Sequence, residues 1–171
     1  MVETSLLLAI VGVLLAVAIP TFMKKVRVSR ISEAGEQLDR MYVGILAYHG
    51  SLQRPDAGPR MGCFPPAAGP TPAVPTPAGV ELDFGAEGVP GAETWRALEF
   101  SPRGVVRYSY SFLPAQEGCE VPDPVPPVIV RWRAQGDLDG DGELSTFERS
   151  ASLDEGRLVP EPLLTAHRRT E

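Results

Sequence analysis

The chain has 171 residues, 43% of them apolar, which suits one globular domain with an additional apolar segment. The formal net charge is −6 and no block of five like charges occurs, so composition argues against a nucleic-acid-binding protein, and no nucleic-acid partner is expected. No Ser/His/Asp set, phosphate-binding glycine loop or nucleophilic cysteine stands out, and two histidines are few for an enzyme. We therefore expect a protein without catalytic activity.

The first predicted element is an apolar helix. The twenty residues from Thr4 to Met23 carry no charge, and at about 1.5 Å per residue they would extend about 30 Å, the thickness of a bilayer core. No small-residue cleavage site follows, and basic residues lie after the run rather than before it, at Lys24, Lys25, Arg27 and Arg30. This pattern predicts a retained membrane anchor over residues 1–23, not a cleaved signal peptide.

The same helix is expected to continue to residue 52. Steps of four and three residues place one stripe on a single helix face, with charged residues elsewhere on the surface. The stripe consists of Ile31, Gly35, Leu38, Tyr42, Ile45, His49 and Leu52. A helix over residues 1–52 would be on the order of 75 Å long, and its apolar half would need partners.

Residues 53–94 are expected to form a connecting loop, because they are too rich in proline and glycine for a helix. In the sheet domain predicted over residues 95–171, "WRALEF" and "VVRYSYSFL" indicate a hairpin around the turn "SPRG". A third strand is predicted from Val128 to Ala134, and a short one from Arg157 to Val159. The expected fold class is α+β, a long N-terminal helix packed on a small antiparallel sheet of three to four strands.

The two cysteines lie in different loops. Cys63 falls in the connecting loop and Cys119 between the second and third predicted strands. Two interpretations stay open, a disulfide formed in an oxidising compartment or two unrelated reduced thiols, with the disulfide favoured. A Cys63–Cys119 bridge would close a loop of about 57 residues and stabilise the fold by roughly 4 kcal/mol in the chain-entropy model.

The segment "DLDGDGELSTFE", residues 137–148, has the twelve-residue pattern of an EF-hand calcium loop. Crowded carboxylates repel one another, so a hard divalent cation is their natural counter-charge, and calcium suits the spacing better than magnesium. A strand, not a helix, precedes the loop, so we expect a structural calcium site; a metal-free acidic turn is the alternative. The predicted ligands are Asp137, Asp139, Asp141, the backbone carbonyl of Glu143, Ser145 and Glu148.

The first fifty residues resemble the type IV pilin and pseudopilin family. The stretch "ETSLLLAIVGVLLAVAIPTF" has a glutamate near its start, a glycine nine residues later and a proline seventeen residues after the glutamate, here Glu3, Gly12 and Pro20. The resemblance implies that subunits stack through this helix, with Glu3 neutralised by the α-amino group of a neighbour, because an unpaired buried carboxylate costs several kcal/mol. Pro20 and Gly12 would let the helix bend or loosen locally.

The resemblance predicts a structural subunit of a type IV pilus-like extracellular filament, used for surface motility or adhesion. Such a subunit is a helical homo-oligomer, held in the inner membrane before assembly and found at the cell surface afterwards. Two alternatives stay open. One is a pseudopilin or minor pilin of a type II secretion or DNA-uptake apparatus, and the other is a monomeric membrane-anchored calcium-binding module.

Overall fold

The computed structural model describes residues 2–51, 62–120, 122–162 and 164–167, and within the first helix it leaves out the side chains of residues 2–7, 20 and 23–30. The described residues contain two helices, α1 (Val2–Ser51) and α2 (Ala92–Ala97). The strands are β1 (Ala68–Thr71), β2 (Val80–Glu81), β3 (Val105–Val106), β4 (Tyr108–Pro114), β5 (Val130–Gly136), β6 (Ser145–Asp154), β7 (Arg157–Pro160) and β8 (Thr165–His167).

Six of the strands form one antiparallel sheet. Five of them lie in the order β1-β4-β5-β6-β7, and the sixth is β8. Strand β8 pairs with the beginning of β6, while β7 pairs with its end, so both lie along the same edge of β6. Strands β2 and β3 form a separate two-stranded sheet. The fold is thus dominated by one large sheet with a helical layer on one face.

The second half of α1 packs on this sheet. Its buried stripe faces aromatic residues of β4, β5 and β6, and the members of the stripe are Ala34, Leu38, Met41 and Ile45. At the centre, the Nε1–H of Trp132 on β5 donates to the carbonyl oxygen of Leu38 at 3.0 Å, and the Trp132 ring stacks on Tyr42 with 5.3 Å between centroids. An apolar stripe at helical spacing therefore finds the apolar face of the sheet, as the sequence pattern indicates.

Two ion pairs hold the same part of α1 at its edges. Arg149 on β6 contacts Asp39 at 2.9 Å, and Arg107, which precedes β4, contacts Glu33 at 3.4 Å. Because both pairs are partly exposed, each contributes little to the free energy of folding, and the apolar contacts carry the packing. Glu33 lies next to the first residue of the buried stripe and Asp39 lies near its middle, and the two pairs orient the helix on the sheet.

The predicted hairpin strand "WRALEF" is wrong, because these residues belong to helix α2 and its C-terminal cap. The amide of Phe100 donates to the carbonyl of Trp95 at 2.9 Å, and the amide of Glu99 to that of Arg96 at 3.1 Å, with Glu99 at φ 50°. This is a Schellman motif, and it is closed by contact of the Trp95 and Phe100 rings at 5.6 Å. Capping and aromatic packing thus produce a helix where the sequence alternation suggested a strand.

The predicted fold class is also wrong. The sheet has six strands rather than three to four, and it is packed by the second half of α1, with α2 lying beside that half. Strands β1, β2, β6 and β8 were not predicted, and β1 and β2 lie in the expected connecting loop over residues 53–94. Strand β1 lies inside the proline-rich connection, and β6 starts at Ser145, inside the predicted calcium loop. These polar or proline-containing segments become strands because neighbouring strands supply their hydrogen-bond partners.

Candidate functional site

The first half of α1 exposes a long run of apolar side chains, here named the apolar segment (residues 8–22). Nine large apolar side chains in it are between 49% and 73% exposed: Leu8, Ile10, Val11, Val13, Leu14, Leu15, Val17, Ile19 and Phe22. Successive residues of an α-helix are rotated by about 100°, so these nine cover about two thirds of the circumference, and the remaining third carries the small exposed residues Ala9, Gly12 and Ala16. The exposed apolar surface therefore surrounds the helix instead of forming one stripe.

The three residues that carry the pilin resemblance all lie within α1. Gly12 is exposed, and among the described residues nothing lies within 4 Å of the position that a Cβ would take there. The side chains of Glu3 and Pro20 lie outside the described residues, so their predicted ion pair and helix bend stay predictions. A search of the described part of the chain finds no helix with the length and hydropathy required to cross a bilayer.

The acidic loop between β5 and β6 brings together part of the predicted calcium ligands. Carboxylate oxygens of Asp137, Asp139 and Asp141 lie within 4.8 Å of one another, and such a group could hold a metal ion. Asp137 also organises the loop, since its two carboxylate oxygens accept from the amides of Gly140 at 2.7 Å and Gly142 at 3.1 Å. Both glycines have positive φ, which a side chain would disfavour.

Two of the remaining predicted ligands, Ser145 and Glu148, have other partners. The hydroxyl of Ser145 donates to the carbonyl of Gly136 at 3.0 Å. Glu148 accepts from Arg133 at 2.6 and 2.9 Å, because the β5–β6 register places these two residues directly opposite each other. In an EF-hand a helix would carry the twelfth position back to the ion, whereas here a strand carries Glu148 onto the sheet. The calcium site stays a prediction.

The predicted Cys63–Cys119 disulfide is confirmed. It joins the segment after α1 to the β4–β5 loop, and next to it Phe64 and Gly118 exchange two backbone hydrogen bonds of 2.9 and 2.8 Å. The buried ring of His49, in the last turn of α1, lies 5.2 Å from the Phe64 ring. Burial lowers the pKa of His49, because the charged imidazolium loses its hydration there.

A groove between α1 and α2, here named the α1–α2 groove, was not predicted. It encloses about 310 Å³, and the residues that define it are Arg40, Val43, Gly44, Ala47, Leu98 and Glu99. A Cβ at Gly44 would overlap the carbonyl oxygen of Leu98, so glycine allows the end of α2 to approach α1. Val43 lies on the face of α1 opposite the buried stripe, where polar residues are expected. An apolar residue at this position was the sequence signal for the groove.

Comparison of the chain with models of protein families, with curated proteins and with solved structures gives no match.

Proposed function

We propose that the protein is a structural subunit of a type IV pilus-like filament, in which identical copies polymerise through the apolar segment of α1 for surface motility or adhesion. The observation that carries this proposal is the exposure of nine large apolar side chains over about two thirds of the circumference of one helix, with small uncharged residues on the remaining third. Water disfavours such a surface, and a single neighbouring helix would cover one stripe of it. A bundle of several copies would cover all sides.

The size of the exposed surface supports assembly. At their observed exposures, the nine side chains present roughly 900 Å² of surface, and one partner in a stable protein interface contributes about 800 Å². In the other half of the molecule, apolar side chains form a core between α1 and the sheet, and charged side chains lie outside this core. The chain thus combines a folded domain with a helix extension whose surface is suited to burial.

A bilayer would also surround the apolar segment, so membrane residence before assembly belongs to the same proposal. The motif formed by Glu3, Gly12 and Pro20 favours assembly over permanent anchoring, because a carboxylate inside an apolar helix needs an opposite charge. The amino terminus of a neighbouring copy would provide that charge in a filament. A monomeric anchor offers no such partner from another chain.

The test compares the full chain with its Leu14→Asp variant in a pilus-assembling bacterial host. Leu14 is 63% exposed, so the folded domain should be retained, and burying an unpaired carboxylate between helices should abolish fibres. The matched control is Val74→Asp, at a 68% exposed valine in the connection between β1 and β2, which should assemble normally. Sheared fibres are quantified by sedimentation and electron microscopy, and membrane fractionation confirms that both variants are inserted.

Two outcomes would contradict the proposal. The first is a wild-type chain that stays monomeric in the membrane and gives no fibres, which would favour the anchored module. The second is a Leu14→Asp variant that is inserted and assembles as the wild type does.

A further inference from the structure

We propose that the α1–α2 groove receives the apolar segment of a second copy of the chain, an inference that rests on the proposed filament function. The groove is then the acceptor surface on the folded half of the molecule, and the apolar segment on the other half of a second copy is the donor surface. Two neighbouring copies would therefore contact each other through two different surfaces.

The groove is a concave surface on the side of α1 that faces away from the sheet, and about half of its lining is apolar. The carbonyl of Leu98 at the end of α2 lies against Gly44, and this close approach forms one wall. Val43 and Ala47 line the groove along α1, and Val43 is 65% exposed. Leu46, one helical step from Val43, is also exposed. This part of α1 therefore presents apolar side chains on two sides, one toward the sheet and one toward the groove.

The occupant has to come from another copy. The apolar segment and the groove lie on one helix, and about thirty residues separate Leu15 from Ile45, which corresponds to about 45 Å along the axis. The segment of a given chain consequently cannot reach its own groove. Outside α1, the exposed large apolar residues of the described chain are spread over strands and loops, for example at Val74, Val125 and Val159.

The charges of the two surfaces agree with this pairing. Residues 8–22 contain no charged residue, and the groove floor formed by Val43, Gly44 and Ala47 is also uncharged. Arg40 and Glu99 line the groove as its charged members and can stay hydrated at its edges when a helix fills the centre. Burying the segment against this floor therefore brings no unpaired charge out of water.

A contact between two different surfaces has a structural consequence. When a donor surface on one copy meets an acceptor surface on the next, each added copy leaves a new donor and a new acceptor exposed. Unless the rotation closes a ring, the product is an open helical filament with a stagger between neighbouring copies of about 45 Å along α1. The groove occupies one side of the segment, so its other sides remain available to further copies.

Fibre assembly by Val43→Asp tests the inference. Val43 is exposed, so circular dichroism should show the wild-type fold, while a carboxylate in the filled groove should lower fibre yield by more than about tenfold. Val74→Asp, with a similarly exposed valine, should assemble like the wild type. Loss of fibres in Leu14→Asp with normal fibres in Val43→Asp would overturn the groove and leave the proposed function intact. Normal fibres in Leu14→Asp would overturn the function itself.

Cross-linking locates the occupant directly. The two natural cysteines are joined to each other, so chains carrying Val43→Cys together with one cysteine in the apolar segment can be oxidised without competing thiols. Fibres are scanned with the second cysteine at Leu8, Val11, Leu14 and Val17, and we expect a ladder of species longer than dimers at one or two positions. Pairs that use Val74→Cys instead should stay monomeric. Absence of cross-links from Val43→Cys at every scanned position, or products that stop at dimers, would overturn the inference.

Discussion

Replacing Trp132 with phenylalanine tests how α1 is held on the sheet. The indole Nε1–H of Trp132 donates to the carbonyl of Leu38 at 3.0 Å in a buried position, and its ring stacks on Tyr42. Phenylalanine keeps an aromatic ring but removes the donor. A buried hydrogen bond contributes about 1 kcal/mol net, and the smaller ring leaves a void that costs about 1–2 kcal/mol more, so the free energy of unfolding should fall by about 2–3 kcal/mol. The Leu38 carbonyl keeps its helical hydrogen bond, which limits the cost.

Urea denaturation of the full chain in detergent micelles measures this loss, and hydrogen exchange shows where it acts. Amides of α1 near Leu38 should exchange faster in Trp132→Phe than in the wild type. The control is Trp95→Phe, which removes an equally buried hydrogen bond of 3.1 Å to Thr71 on β1 and should mainly affect α2 and β1. A change below about 0.5 kcal/mol, or equal exchange of α1 amides in the two variants, would refute the assigned role of Trp132.

Three further predictions concern the disulfide, the buried histidine and the acidic loop. Changing Cys63 and Cys119 to alanine should lower the free energy of unfolding by about 4 kcal/mol, since the bridge spans 56 residues, and equal denaturation midpoints would contradict this. Burial lowers the pKa of His49 below its unfolded value of 6.5, so the unfolded chain binds the proton first and stability should fall as pH decreases below 6.5. The variant His49→Phe should reduce this pH dependence of the urea midpoint. An unchanged pH dependence in the variant would contradict the role of His49. Asp139→Asn should weaken calcium binding at least about tenfold in calorimetric titration while Asp154→Asn should not, and a wild-type chain without calcium binding would exclude the site.

Strong local periodicity explains the elements that could be predicted. The stripe through Leu38 and Ile45 packs on the sheet, and "VIVRWRA" corresponds to β5 within two residues. The segment "VVRYSYSFL" begins three residues before β4 and is divided into β3 and β4. The strand predicted from Arg157 to Val159 is β7. Buried positions alternate with more exposed ones in β5, whereas β4 is buried on both faces from Tyr108 to Phe112. The residue pattern of each segment in the sequence was nevertheless enough to identify it.

Elements whose partners are distant in sequence could not be predicted. Strand β1 contains a glycine and a proline, and it exists because β4, about forty residues later, supplies its hydrogen bonds. Helix α2 depends on the ring of Phe100 folding back on Trp95 and on Phe84, which contacts both rings. Trp95 and Phe100 are close in sequence, but Phe84 lies eleven residues before Trp95. No local pattern encodes the contacts of Phe84, so an alternating segment was predicted as a strand.

The sequence by itself determined the apolar segment, the amphipathic continuation of α1 and the acidic spacing of residues 137–148, because these depend on residue order within one or two turns. Tertiary structure decided where Glu148 points, that the two cysteine loops meet, and that Gly44 lies against Leu98 to form a groove. The physical reason is that strand register and helix contacts join residues far apart in the chain, and their energies depend on partners that no short stretch contains.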